Sequence, residues 1–261
     1  MRMPRSFVSF RQILLALLPV VLSTDADAAF ERALFPLSPL DTVAQLTSGP
    51  AGLGEVRRPC GSISHDRPFG LSALSGHRLL LATPLPWGLA VGAGGAMRGP
   101  PRHREYGGWM GIGTRFTASL ALGVTIQGLA WRGLAGIGER TIAGAAGWQL
   151  DLPASWSLAG WIRPAQGHVP ARVWLQLTRR DAQGAVAVGL SARSGRGTIP
   201  VLSMATQLSR RLSLTGQVLS LARAFGAGGT VQASPLSLHV HVVTHPVLGP
   251  SSAGWVGRTC R

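Results

Sequence analysis

The sequence predicts an all-β fold: a transmembrane antiparallel β-barrel of about fourteen strands, with twelve as the alternative count, and a short N-terminal inner segment. Three observations carry that expectation. Segment after segment alternates apolar with small or polar residues at a period of two, which gives a strand one greasy and one wet face. The chain is 46% hydrophobic and only 13% charged, with 35 glycines, where a soluble domain carries roughly 25% charge. Beyond the first thirty residues no apolar run reaches about 18 residues, so no helix can supply the crossing. Low charge without spanning helices is what a barrel produces, because its outer face must be apolar while each strand stays short.

Residues 1–28 read as a signal peptide. Arg2, Arg5 and Arg11 form a basic start, an apolar run follows from Ile13 to Leu22, and Ala26-Asp27-Ala28 offers a small-x-small cleavage site. Sec export and a place in the bacterial outer membrane are the expectation. Residues 29–54 are not strand-like. Pro36, Pro39 and Pro50 punctuate them, and Asp41 can cap a short helix over 41–47. This stretch is expected to sit at the periplasmic mouth or inside the lumen, with residues 55–261 forming the barrel.

The expected strands follow one another with short connections. They cover residues 55–65, 77–83, 87–97, 105–115, 118–131, 139–150, 155–162, 171–178, 185–192, 198–207, 212–222, 225–232, 235–244 and 253–258. The clearest is 118–131, where Leu120, Leu122, Val124 and Ile126 oppose Ser119, Ala121, Gly123, Thr125 and Gln127. Val173, Leu175 and Leu177 likewise alternate with Arg172, Trp174 and Gln176. Near the end, Leu236, Leu238, Val240 and Val242 face away from Ser237, His239 and His241. A secreted β-sandwich would alternate as well, but its wet face would be charged rather than rich in glycine and serine. The lumen-lining candidates are therefore Ser119, Thr125, Gln127, Arg172, Gln176, Ser237, His239 and His241.

If the first strand leaves the periplasm, even-to-odd connections such as Pro84-Leu85-Pro86 and Arg115-Phe116-Thr117 are periplasmic turns. The outward loops then hold Arg67, Arg98, Arg102, Arg104, Arg132, Arg140, Arg163, Arg193, Arg196 and Arg223. Such a rim could bind lipopolysaccharide phosphates through guanidinium forks; loop arginines that are merely solvated are the plainer reading. The eight tryptophans fall mostly towards strand ends, where an interface girdle would want them. The net charge of +15 comes with no Lys and no Asn in the chain. A nucleic-acid partner is not expected, because the arginines are scattered between strands instead of gathered on one face.

Short motifs add a resemblance. Asp41-Thr42-Val43-Ala44-Gln45-Leu46 runs into Gly49-Pro50-Ala51-Gly52-Leu53. Further on stand Phe69-Gly70-Leu71, the segment Leu80 to Gly88 with Pro84, Pro86 and Trp87, then Arg210-Arg211-Leu212-Ser213-Leu214 and His245-Pro246-Val247-Leu248-Gly249. With these the chain resembles the PorV-like outer-membrane proteins, which are related in architecture to FadL-type transporters of hydrophobic compounds. The resemblance implies fourteen strands with the N-terminal segment inside. It also implies either passage of a small hydrophobic ligand or, alternatively, docking of a partner or exported cargo protein. Gly49 stands where the family motif has Asn, and Thr259-Cys260-Arg261 where barrel substrates of the assembly machinery usually carry an aromatic.

Cys60 and Cys260 are the only cysteines. They fall beside the start of the first strand and the end of the last, which must pair to close a barrel. A seam disulfide is expected, provided their Cα atoms come within about 7 Å. His239-x-His241 has a metal-ligand spacing, but two ligands do not make a site, and lumen lining is the reading adopted. No Gly-x-Ser-x-Gly elbow is present and acids are scarce, so neither an enzyme nor a cofactor is expected.

Overall fold

In the computed structural model, the described residues are 49–260 apart from 101–103, 134–135, 167–170, 195–196, 210, 220–223, 246–248 and 259. The expected signal peptide, the helix expected over 41–47, and Arg102, Arg196 and Arg223 lie outside them. The described residues form a closed antiparallel barrel of fourteen strands in meander order, with the last strand pairing the first. The strands are β1 (Cys60–Arg67), β2 (Gly76–Pro84), β3 (Leu89–Arg98), β4 (Arg104–Arg115), β5 (Leu120–Gly133), β6 (Gly136–Leu152) and β7 (Trp156–Arg163). They continue with β8 (Arg172–Arg180), β9 (Gly184–Arg193), β10 (Gly197–Gln207), β11 (Leu212–Leu219), β12 (Ala224–Ala233), β13 (Leu236–His245) and β14 (Gly249–Arg258).

Alternation decides which way each residue points. Leu122, Val124 and Ile126 on β5 are exposed, as are Val173, Leu175 and Leu177 on β8 and Leu236, Leu238, Val240 and Val242 on β13. Their neighbours of the other parity point into the barrel and are buried or half-buried. Closure leaves no unpaired strand edge, and every face-out position can be apolar because lipid, not water, would cover it.

The two ends differ. Even-to-odd connections are tight turns, such as Asp151–Trp156 and Ser234–Pro235, and this turn end also carries Cys60 and Cys260. Two expected boundaries shift for physical reasons. The first strand begins at Cys60 because Pro50–Glu55 is a 3₁₀ turn lodged inside the barrel. The last begins at Gly249, since Gly249-Pro250-Ser251-Ser252, which looks like a loop, pairs with Val242 to His245.

The expected seam disulfide is present: Cys60 and Cys260 are bonded, with Cα atoms 4.9 Å apart. The Arg57 backbone N–H donates to the Cys260 carbonyl at 2.9 Å, so the chain entering β1 is tied to the chain leaving β14.

Candidate functional site

The lumen has two unlike sides. On one, Pro50–Glu55 packs against the turn-end portions of β3 to β6, with Leu53 wholly buried. Glycines make the room. A Cβ at Gly92 would lie 2.6 Å from Leu53 Cδ2, one at Gly113 2.7 Å from Leu53 Cβ, and one at Gly123 would run into the Pro50 carbonyl. Leu53 joins Val56, Cys60, Leu80, Ala82, Ala90 and Cys260 in an apolar cluster backed by Trp109. The inner segment and the seam disulfide therefore share one core. Glu55 at the segment's end pairs with Arg115 of β4, whose guanidinium also donates to Asp151 Oδ2 at 2.8 Å.

On the other side the side chains are large. Strands β7, β8 and β9 line up in horizontal rungs. Arg163, Arg172 and Arg193 are direct cross-strand neighbours, and one step nearer the turn end come Trp161, Trp174 and Ser191. Below those stand Ala159, Gln176 and Gly189, then Ser157, Thr178 and Ala187. Arg172 is 8% exposed; its Nε donates to Ser191 Oγ at 3.1 Å, and its guanidinium carbon lies 5.5 Å from the Trp161 ring centre. Trp174 packs with Val201, Trp161, Ile199 and Val243.

Between the two sides a small open cavity of about 50 Å³ remains. Gly49, Ala51 and Gly52 of the inner chain form one wall. Gln149, Ser157, Ala159, Trp161, Trp174, Gln176, Thr178 and Arg180 form most of the other.

A third group lies on β12 to β14. His239 and His241 are almost wholly buried, with His239 ring-stacked on Trp255 at 3.7 Å and its Nδ1 within 2.6 Å of Thr230 Oγ1. A Cβ at Gly226 would meet His241 Nε2 at 2.6 Å, so this glycine makes space for the imidazole. Both Nε2 atoms are buried without a hydrogen-bond partner among the described residues. Ser237 continues the row, its hydroxyl donating to the Gly257 carbonyl at 3.3 Å. Among the described residues no three His, Cys, Asp or Glu side chains gather as metal ligands would.

Of the lining candidates, Thr125, Arg172, Ser237, His239 and His241 are buried, and Gln127 and Gln176 are half-buried on the same inward parities. They are not brought together: Thr125 and Gln127 stand on the glycine side, Arg172 and Gln176 opposite, the histidines near the seam. Ser119 differs. It lies exposed in the turn before β5, within 3.3 Å of Thr117 Oγ1, because β5 starts only at Leu120.

The arginine rim also needs correction. Arg163 and Arg193 end their strands on inward positions, and Arg98 points in to donate to Asp66 Oδ2 at 2.7 Å. Arg67 and Arg140 do stay exposed on outward positions. The tryptophans correct likewise. Trp109, Trp161, Trp174 and Trp255 stand on inward positions along their strands, so half of the supposed girdle furnishes the lumen.

Solved structures share this architecture. The chain is similar to the Pseudomonas putida toluene transporter TodX at 12% identity and TM-score 0.61, covering 91% of this chain and 97% of that one. A Pseudomonas aeruginosa FadL homologue gives 9% identity and TM-score 0.64, with 92% and 99% covered. A deltaS2S3 mutant of the TodX monoaromatic hydrocarbon channel gives 13% identity and TM-score 0.56 over 82% and 92%. No protein-family model and no curated protein matches the sequence. At these identities the likeness establishes the fold. It falls on the FadL-type half of the sequence resemblance, and nothing in it supports the PorV-like half.

Proposed function

We propose that this protein is an outer-membrane barrel through which small hydrophobic compounds pass passively. The carrying observation is the cavity between the inner chain and β6 to β8: tryptophan, alanine and glycine walls with a few convergent polar groups, which is how small-molecule sites are generally lined. Similarity to a toluene transporter and to a monoaromatic hydrocarbon channel supports the same reading. In this reading residues 1–28 direct Sec export and residues 29–54 act as an inner segment. Thr125, Gln127, Arg172, Gln176, Ser237, His239 and His241 line the path, and Arg67 and Arg140 meet lipopolysaccharide phosphates at the loop end.

A second reading, docking of a partner or cargo protein, draws on the turn end. There Trp87 is 92% exposed and Phe116 71% exposed on successive turns. Flux separates the two. Liposomes bearing the full-length mature protein are expected to pass toluene faster than empty liposomes, and removal of residues 30–58 should raise the rate. Rates equal to empty liposomes with both proteins would end the passage reading and leave docking.

A further inference from the structure

The β7–β8–β9 wall has a chemistry that plain hydrocarbons do not require. We infer that it is a binding site for small aryl carboxylates, with Arg163, Arg172 and Arg193 holding the carboxylate and Trp161 and Trp174 the ring. This rests on the reading that the lumen takes small hydrophobic compounds, and names their class.

The argument begins with register. Arg163 pairs across to Arg172, and Arg172 to Arg193, so three guanidiniums leave neighbouring strands about 4.8 Å apart in a single row. Like charges directly opposite one another destabilise a sheet. An outward alternative would have been one residue away on each strand. Three successive strands instead turn arginine inward at the same level, and Arg172 is further fixed by Ser191 and the Trp161 face. The Nε of Arg163 is buried without a hydrogen-bond partner among the described residues. An anion among them would relieve the repulsion and accept forked hydrogen bonds, for which guanidinium is shaped.

The next rung makes the class narrower. Two residues along a strand is about 7 Å, and at that distance below the arginines stand Trp161 and Trp174, cross-strand neighbours of each other. Both also line the cavity. A ligand whose carboxylate meets the arginine row therefore places its other end against indole faces, where a flat ring stacks better than a flexible alkyl chain. Gln176 and Thr178 continue the same wall down to Arg180 at the cavity's turn end.

The test is binding, read separately from flux. Protein in liposomes is titrated with 3-phenylpropanoate, 3-phenyl-1-propanol, octanoate and toluene, following tryptophan fluorescence after subtraction of empty liposomes. Saturable binding of 3-phenylpropanoate is expected at least about 10-fold tighter than of the alcohol, the loss expected when a charge-assisted hydrogen bond is removed. Arg193→Gln should leave toluene binding unchanged, and Arg172→Gln should abolish that preference. Arg193→Gln, at the row's end, should halve it or more and guards against misfolding of the first variant. Trp174→Phe should weaken phenylpropanoate and not octanoate. Equal affinity for acid and alcohol, or an unchanged preference in both arginine variants, overturns the inference while toluene flux leaves the passage reading standing. Octanoate binding as tightly as phenylpropanoate would overturn the aryl assignment. Absence of toluene flux with the acid preference intact would end passage but not this site.

Discussion

The half of the barrel around the inner segment and the half made by β7 to β13 solve the same geometrical problem in opposite ways. Fourteen strands enclose more space than their own side chains need to fill, unlike an eight-stranded barrel. On β3 to β6 the strands give up side chains at Gly92, Gly111, Gly113 and Gly123, and a piece of backbone fills the gap, with Leu53 as its anchor. On β7 to β13 the strands keep large polar, cationic and aromatic groups, and a cavity is left. The first half is built as a core and should respond to mutation as cores do. The second is built as a site and should tolerate rearrangement better.

The sharpest difference is expected at the seam, because the disulfide belongs to the same apolar cluster as Leu53. It joins residues 200 positions apart, so the reduced chain regains the freedom of a very long loop. Cys60→Ser should lower stability by about 2–5 kcal/mol, measured as the urea midpoint of refolded protein in liposomes. The non-reducing gel mobility should shift with it. If neither changes, the seam is held by strand pairing alone and the core description of this half loses its strongest member.

Next in size is Gly123→Ala. The added methyl meets the Pro50 carbonyl carbon and oxygen and lies 3.0 Å from the Ala51 nitrogen, all backbone atoms of the inner segment. Backbone held by Leu53 and by the Glu55–Arg115 pair cannot simply rotate aside. A cost of about 1–3 kcal/mol follows from overpacking, and displacement of the segment should raise flux of small polar solutes. Unchanged stability with unchanged flux would mean that the segment is only loosely seated.

Much of the fold was legible because lipid-facing positions must be apolar. Leu122, Val124 and Ile126 announce their strand, and fourteen such strands could be counted with small errors at the ends. The phase of a strand is local information. What stands beside what is not: that Arg163, Arg172 and Arg193 form one row depends on the register of two hairpins, and on loop lengths that could slide it. Parity alone could have placed Arg163 with Trp161 and Arg193 with Ser191, a signal overlooked because arginines at strand ends read as loop residues. Ser119 fails for the converse reason. Its parity is right, but Thr117 and Ser119 satisfy each other in a turn before pairing begins. The glycine side was legible as glycine-rich but not as a seat, since the segment it accommodates lies far away in sequence.

The smallest expected effect tests the other half with the same chemical change. Gly189 also points inward, and an added Cβ there would approach Trp174 Cη2 at 2.7 Å and Cζ2 at 2.8 Å. Those are the far atoms of an indole whose neighbour is the open cavity, not backbone, so the ring has somewhere to go. The loss of packing against Val201 is offset in part by the lower chain entropy that alanine brings to the unfolded state, worth about 0.4–1 kcal/mol. Gly189→Ala should therefore move the urea midpoint by less than about 1 kcal/mol, while altering the fluorescence of Trp174. The two alanines differ only in what the methyl meets. A cost at Gly189 equal to that at Gly123 would mean the cavity wall is as tightly packed as the seat of the inner segment, and the division of the lumen into a core and a site would have to be abandoned.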